Sequence, residues 1–148
     1  MVQQRISIFG TGYVGLSTAI GFATKGYKVI TVTHDPEKVA LINKGISTFH
    51  EPSLQQTLKK VVNEKLLKCT LNNVEIILDT DITFITTGTP SQPDGSIDLQ
   101  YMEKSAREIG EALKKKKSYH LIVVKSTVVP GTTEKTVKSL IEKHSGKH

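Results

Sequence analysis

Three glycines near the amino terminus have the spacing G-x-G-x-x-G, in the segment GTGYVG at positions 10–15. An apolar, β-branched segment precedes them and a helix-like segment opens among them, which is the context of a phosphate-binding turn. Gly10 would make the tight turn, Gly12 would let a pyrophosphate approach the backbone, and Gly15 would let the helix pack closely on the sheet. The free N–H groups from about Tyr13 and Val14 would then point at the phosphates of a dinucleotide. The alternative is a glycine turn that only joins a strand to a helix.

The second predicted strand ends with the residues that would meet the adenosine ribose of such a ligand, Val-Thr-His-Asp at positions 32–35. An acidic residue about 20 positions after the glycines usually binds the ribose hydroxyls. Thr33 holds the usual position at the strand end, whereas Asp35 before Pro36 fits a helix N-cap better than a ribose contact, which stays an alternative. A hydroxyl in place of a carboxylate would lose about 1–2 kcal/mol of hydrogen bonding and would not repel a 2′-phosphate. The pattern therefore predicts NAD, with NADP tolerated through His34 and Lys38.

Strands and helices alternate along the chain around these residues. We predict strands at 5–9, 28–33, 66–71, 82–86 and 119–125 and helices at 13–25, 35–43, 53–64, 98–116 and 133–143, with a short helix or turn at 72–78. Asp98 and Thr132 would cap the last two helices, and the run LIVV at 121–124 suits a strand buried on both faces. This alternation predicts an α/β fold of the Rossmann type, a doubly wound, mostly parallel sheet with helices on both faces.

Composition narrows the class of protein further. The chain has 148 residues, 37% of them apolar, with one cysteine and a formal net charge of +6. This length suits one compact domain over residues 1–148, and no apolar run approaches the ~18 residues that a membrane-spanning helix needs. No secretion signal is visible, and the lone Cys69 suits a cytoplasmic, reducing compartment; neither cysteines nor histidines have metal-ligand spacing. The lysine run at 114–117 is expected to be solvated, and without interleaved aromatic residues it does not indicate a nucleic-acid partner.

Several segments, in the same order along the chain, resemble one family, the UDP-glucose 6-dehydrogenases within the UDP-glucose/GDP-mannose dehydrogenase family. The similar segments are GTGYVGL at 10–16, DPEKV at 35–39 with LINKG at 41–45, EPSL at 51–54, GTPS at 88–91, DGSIDL at 94–99 and KSTVVPGT at 125–132. The resemblance covers essentially the whole chain. Ser53 departs from the glycine of the family's E-P-G-L segment, and Thr33 departs from the family's ribose aspartate.

The resemblance implies roles for individual residues. The cofactor pyrophosphate would be held by Gly10, Gly12, Tyr13, Val14 and Gly15. The resemblance and the residues at the end of the second predicted strand together indicate which residues would lie near the adenosine. These are Thr33, His34, Asp35 and Lys38. Thr89 would contact the cofactor, and Thr127 would lie beside the nicotinamide and the reacting centre as an auxiliary catalytic residue.

The resemblance also implies an activity, the oxidation of C6 of UDP-glucose to the carboxylate of UDP-glucuronate with two NAD. The family uses a cysteine to capture the intermediate aldehyde, because an aldehyde has no second hydride to give until a nucleophile adds to it. In the family this cysteine lies beyond position 148, and Cys69 is expected to be a packing residue of a buried strand. The chain is therefore expected to be the first third of a longer enzyme and to bind NAD without turning over UDP-glucose by itself.

Other functions remain open beside this one. A fragment of a UDP-N-acetylmannosamine dehydrogenase would share the motifs, and a stand-alone nucleotide-binding or regulatory module would need only the cofactor site. The cofactor domain of a hydroxyacid dehydrogenase is an analogy of fold alone, and the segment 125–132 argues against it. In the full-length enzyme the further partner would be a UDP-sugar, and self-association into a homo-oligomer is left open.

Overall fold

The computed structural model describes residues 4–71 and 73–148, and over these residues it contains one five-stranded, all-parallel sheet with the strand order β3-β2-β1-β4-β5. The strands are β1 (Arg5–Phe9), β2 (Lys28–Val32), β3 (Leu67–Thr70), β4 (Ile82–Ile85) and β5 (Leu121–Val124). The chain winds outward from β1 to β3 and then returns to the other side of β1 to form β4 and β5. This reversal creates a crevice at the carboxyl ends of β1 and β4, where open parallel sheets bind their ligands.

The helices connect the strands and cover the sheet. They are α1 (Tyr13–Thr24), α2 (Pro36–Asn43), α3 (Leu54–Asn63), α4 (Asn73–Asp79), α5 (Gln100–Lys115) and α6 (Ser139–Ser145), the last preceded by a π-helical turn at Thr133–Lys138. The predicted element at 72–78 is therefore a helix, although residue 72 lies outside the described residues. Within the described ranges, no helix is long and apolar enough to cross a membrane.

The two faces of the sheet have separate apolar cores. Along β1, Ile6 and Ile8 pack in one core with Leu16 of α1 and Leu58 of α3. The adjacent Phe9 belongs to the other core, which also contains buried residues of α4 and α5. Neighbouring residues of a strand point to opposite faces, so Ile8 and Phe9 contribute to different cores. The doubly wound arrangement with helices on both faces confirms the predicted fold class.

The structure confirms one of the three predicted helix caps, Asp35. Asp35 caps α2, since its Oδ1 accepts hydrogen bonds from the N–H groups of Glu37 at 2.9 Å and Lys38 at 3.3 Å. The predicted cap at Asp98 is wrong by one residue, because Leu99 is the N-cap of α5 and has no side-chain cap; Asp98, just before it, accepts from the N–H of Gln100 at 2.9 Å. The predicted cap at Thr132 is wrong, because its hydroxyl instead donates to the carbonyl of Val129, at 2.7 Å, and makes no bond to the helix.

The prediction that the run at 121–124 is buried on both faces is also wrong. Among the strands of the described residues, β5 pairs with β4 alone and lies at an edge of the sheet. Leu121 is 41% exposed and the other three residues are half-buried. A continuous apolar run indicates that both faces of a strand pack against other residues. It does not indicate whether the strand has a neighbour in the sheet on one side or on both.

The prediction of a solvated lysine run is wrong at Lys116, which is only 6% exposed. Its ammonium donates to the carbonyls of Ile77, at 2.8 Å, Leu78, at 3.4 Å, and Thr80. The first two carbonyls belong to the last turn of α4 and the third directly follows it, at the end where helix carbonyls lack partners within the helix. Burial lowers the pKa of Lys116, and the nearby Asp81 and Asp79 carboxylates oppose that shift.

Replacing Lys116 with methionine should lower the free energy of unfolding by about 1–3 kcal/mol, because it leaves buried carbonyls without a donor. The neighbouring Lys115, which is exposed in the last turn of α5, offers a matched control. Urea denaturation should show a change of less than about 0.5 kcal/mol for Lys115→Met. Equal effects of the two substitutions would contradict a structural role for the buried ammonium.

A row of hydrogen-bonded polar side chains connects the neighbouring strands β1 and β4 with the start of β5. The hydroxyls of Ser7 and Thr83 are 2.6 Å apart, and Thr83 Oγ1 is 2.7 Å from Nε2 of His120, just before β5. Burial, and secondly the neighbouring Lys116 ammonium, lower the pKa of His120 from 6.5 to about 4, while Asp81 acts in the opposite direction.

Acidification from pH 6.5 to about pH 4 should therefore destabilise the chain through His120. In this window the unfolded chain binds a proton at the imidazole and the folded chain does not, so the free energy of unfolding falls as the pH falls. Allowing for the partial exposure of the ring, we expect a contribution of about 1–2 kcal/mol.

The matched variant is His120→Gln, which cannot titrate. The variant should be less stable at neutral pH, and its stability should change less between pH 6.5 and about pH 4 than that of the parent chain. Chemical denaturation at a series of pH values measures both curves. Parallel curves for the two proteins would show that His120 does not contribute to the acid sensitivity.

Candidate functional site

A cleft of about 760 Å³ opens at the carboxyl ends of the central strands, where the chain reverses direction. Its walls come from the loops that follow β1, β2, β4 and β5, from the first turns of α1 and α2 and from the first two turns of α5. The lining residues are Phe9, Gly10, Thr11, Gly12, Tyr13, Val14, Val32, Thr33, His34, Asp35, Lys38, Thr86, Thr87, Gly88, Thr89, Tyr101, Lys104, Ser105, Lys125, Ser126 and Thr127. The cleft therefore contains every predicted site residue except Gly15, which lies buried behind the turn.

The glycine turn between β1 and α1 has the geometry that the spacing predicts. Gly10 has a φ of +108°, and a Cβ there would lie 2.8 Å from the carbonyl oxygen of Thr86. A Cβ on Gly15 would lie 2.1 Å from the Gly10 carbonyl oxygen and 2.6 Å from Thr86 Oγ1. These two glycines let the turn pack against Thr86, directly after β4, and let α1 pack against the turn. Gly12 differs from both, because a Cβ there would meet nothing within 4 Å, and it faces the open cleft.

The first turn of α1 has no group of its own to satisfy its N–H donors. Gly12 is the N-cap and supplies no side chain, and the first turn carries no acidic residue. The N–H groups of Tyr13 and Val14 therefore stay available at the positive end of the helix dipole, next to the space that Gly12 leaves. An open space beside free backbone donors fits a pyrophosphate, so the residues present agree with a dinucleotide at this position.

A neighbouring loop braces this turn. The ring of Tyr13 stacks on the ring of Phe49, with centroids 4.1 Å apart and planes 31° apart. Phe49 belongs to the loop between α2 and α3, which the sequence did not connect to the cleft. An aromatic pair of this kind restricts the side chain of Tyr13, although that side chain is 63% exposed.

The loop after β2 places the predicted adenosine-side residues in the cleft. The N–H of Thr33 donates to the Thr70 carbonyl at 3.2 Å, which continues the pairing of β2 with β3 by one residue. Thr33 Oγ1 accepts from the N–H of Asp35 at 3.3 Å. His34 is exposed, and its Nε2 lies 3.8 Å from a carboxylate oxygen of Glu108 on α5.

The loops after β4 and β5 meet on the opposite side of the cleft. Thr89 Oγ1 donates to the carbonyl of Thr127 at 2.9 Å, and Ser126 Oγ donates to the carbonyl of Thr87 at 2.8 Å. Two residues that the sequence indicated separately, Thr89 and Thr127, are thus directly bonded. Their roles in cofactor binding and catalysis stay predictions.

Several lining residues were not predicted. Thr86 donates from Oγ1 to the carbonyls of Phe9, at 2.9 Å, and Gly10, at 3.3 Å, which ties β4 to the glycine turn. The position of Thr86 directly after a buried parallel strand was a signal that could have found it. Tyr101 and Lys104 reach the cleft from α5, and no sequence pattern distinguishes them from other exposed residues of that helix.

Cys69 lies outside the cleft lining, in β3, and is only 4% exposed. Its backbone pairs with the side chain of Asn43, with hydrogen bonds of 2.8 and 2.9 Å. Burial raises the pKa of the Cys69 thiol, which disfavours the reactive thiolate. The predicted packing role of this cysteine therefore agrees with its surroundings.

Comparison with known proteins places this cleft in a family. Residues 4–148 match the model of the NAD binding domain of the UDP-glucose/GDP-mannose dehydrogenase family. The chain is 44% identical over 144 residues to GDP-mannose 6-dehydrogenase of Pseudomonas aeruginosa and, equally, 44% identical over 144 residues to UDP-glucose 6-dehydrogenase AglM of Haloferax volcanii. Each alignment covers 97% of this chain and 33% of the relative, so the chain spans about a third of their length.

A solved structure shows the same fold. The ternary complex of GDP-mannose dehydrogenase from Pseudomonas aeruginosa superposes with a TM-score of 0.95 at 44% identity, over 97% of this chain and 33% of that chain. The resemblance to UDP-glucose 6-dehydrogenases is thus correct at the level of the family, but the equally similar GDP-mannose enzymes leave the sugar undecided. The chain belongs to the UDP-glucose/GDP-mannose dehydrogenase family, and it is an NAD-binding domain of that family.

Proposed function

We propose that this chain is the cofactor-binding part of a UDP-glucose 6-dehydrogenase, which oxidises C6 of UDP-glucose to the carboxylate with two NAD. The observation that supports this most is the uncapped start of α1 beside the open face of Gly12, in a chain that matches the family's NAD-binding domain over residues 4–148. The segments YVGLS at 13–17 and DGS at 94–96 favour UDP-glucose within the family by resemblance.

In this proposal each wall of the cleft has a separate task. The N–H groups of Tyr13 and Val14 bind the pyrophosphate, and Lys38 lies at the adenosine end. The bond between Thr89 and Thr127 keeps the loops after β4 and β5 together on the side assigned to the nicotinamide. When bound, NAD supplies the hydride acceptor for the sugar carbon.

The second oxidation needs a nucleophile that this chain does not offer. Cys69 is buried in β3 outside the cleft, and its raised pKa disfavours the thiolate. In the proposal the nucleophile and the sugar pocket come from parts of the enzyme that correspond to the remaining two-thirds of the relatives. The chain alone therefore binds NAD and does not complete the reaction.

Two measurements on the chain test this division of tasks. Calorimetric titration should show NAD binding, and an assay with UDP-glucose should show no NADH formation. Sustained NADH production by the purified chain would contradict the assignment of the nucleophile to another part of the enzyme. Absence of NAD binding to a folded chain would contradict the cofactor site itself.

The choice of sugar is tested on the full product of the gene. The proposal predicts that kcat/KM for UDP-glucose exceeds that for UDP-N-acetylmannosamine and GDP-mannose by about tenfold or more. GDP-mannose is the second candidate, because GDP-mannose 6-dehydrogenase of Pseudomonas aeruginosa is 44% identical to this chain. A preference for GDP-mannose would replace UDP-glucose in the proposal, and a gene product without any such turnover would favour a nucleotide-binding module.

A further inference from the structure

The end of β2 lacks the carboxylate that distinguishes NAD from NADP in sites of this fold. Thr33 follows the last residue of β2, and its N–H bond to the Thr70 carbonyl at 3.2 Å keeps it in line with the strand. An acidic side chain at this point binds the 2′-hydroxyl of the adenosine ribose and repels a 2′-phosphate. Thr33 offers a small neutral hydroxyl instead.

The nearest acidic residue along the chain does not replace the missing carboxylate. Asp35 directs Oδ1 to the N–H groups of Glu37 and Lys38, at 2.9 and 3.3 Å, and so neutralises the start of α2. A carboxylate held by two backbone donors is committed to the helix that it caps. Glu108, the other acidic residue nearby, lies 3.8 Å from Nε2 of His34 and is not part of the cleft lining.

Cationic groups also line the cleft. Lys38 is half-buried on α2, and Lys104 is exposed on α5. Together with His34 they line the same cleft as the Thr33 hydroxyl, and the carboxylate of that loop, Asp35, has its Oδ1 bonded to the start of α2. Ammonium groups form strong, charge-assisted hydrogen bonds with phosphate oxygens, so a cleft lined in this way is suited to a doubly charged phosphate.

We propose that the adenosine end of this cleft accepts a 2′-phosphate, with Thr33 as the residue that determines specificity and Lys38 as its main cationic partner. The chain then binds NADP as well as NAD. This inference rests on the proposed function, because it requires the dinucleotide to lie with its adenosine at the end of β2.

Calorimetric titration of the chain with NAD and NADP tests the inference. We expect a dissociation constant for NADP less than about a hundredfold above that for NAD, whereas sites with a carboxylate at this position discriminate more strongly. A ratio of a hundredfold or more, with NAD bound normally, would overturn this inference and leave the proposed function standing. Failure of both dinucleotides to bind to the folded chain would overturn both.

Substitutions at the two residues give a sharper test. Thr33→Asp should raise the NADP-to-NAD ratio of dissociation constants by about tenfold or more, and Lys38→Met should weaken NADP more than NAD by about fivefold. Lys60→Met, on the exposed face of α3, is the matched control and should change neither constant. A thermal melt of each variant verifies folding, and equal effects of Thr33→Asp or Lys38→Met on both dinucleotides would overturn the assignment.

Discussion

Replacing Gly12 with alanine should raise the dissociation constant for NAD by about 10- to 100-fold and leave the stability of the chain nearly unchanged. A Cβ at this position meets no protein atom within 4 Å, and the backbone φ of −76° is one that alanine adopts readily. The added methyl group therefore enters only the space assigned to the pyrophosphate. Calorimetric titration with NAD and urea denaturation measure the two effects separately.

Gly21 provides the control for this experiment. It lies in the same helix, α1, and a Cβ there also meets nothing within 4 Å, but it is not part of the cleft. Gly21→Ala should raise the free energy of unfolding by up to about 1 kcal/mol, because alanine favours the helix, and should leave NAD binding unchanged. Unchanged NAD affinity in Gly12→Ala would contradict the position of the pyrophosphate at this turn.

Replacing Gly15 with alanine should instead damage the fold and the cofactor site together. A Cβ on Gly15 would lie 2.1 Å from the carbonyl oxygen of Gly10 and 2.6 Å from Thr86 Oγ1. The first of these atoms belongs to the backbone, so α1 must move away from the turn to relieve the overlap. We expect the free energy of unfolding to fall by about 3 kcal/mol and the dissociation constant for NAD to rise more than about 100-fold.

The comparison of Gly15→Ala with Gly12→Ala separates a structural glycine from a ligand-facing one. Urea denaturation should show a large loss of stability for the first and almost none for the second, while calorimetry at a temperature where both are folded should show weakened NAD binding for both. If Gly15→Ala kept the stability and the NAD affinity of the parent chain, the close packing of α1 on the turn would be refuted.

Most of the similarity between this chain and its relatives reflects the cofactor that they share. The cleft contains the groups that would bind a dinucleotide, and relatives whose names specify GDP-mannose and UDP-glucose are both 44% identical to the chain. A cofactor site needs the same shape whichever sugar is oxidised, so similarity in this domain measures the shared cofactor. Discrimination between sugars requires contacts with the sugar and its base, which are tested with the whole gene product.

Local sequence determined the features that depend on neighbouring residues. The glycine turn, the cap of Asp35 on α2 and the alternation of strands and helices follow from conformational limits and from hydrogen bonds within a few residues. These effects act over one or two turns of chain, and the residues responsible stand next to one another in the printed sequence.

Only the tertiary structure decided which distant groups meet. It joined Thr89 to Thr127, stacked Phe49 on Tyr13 and buried Lys116 against the end of α4, although each partner lies more than a helix length away along the chain. It also placed the apolar run of β5 at the edge of the sheet. Strand order and the packing of one element on another depend on the three-dimensional arrangement of the whole chain, which local spacing does not encode.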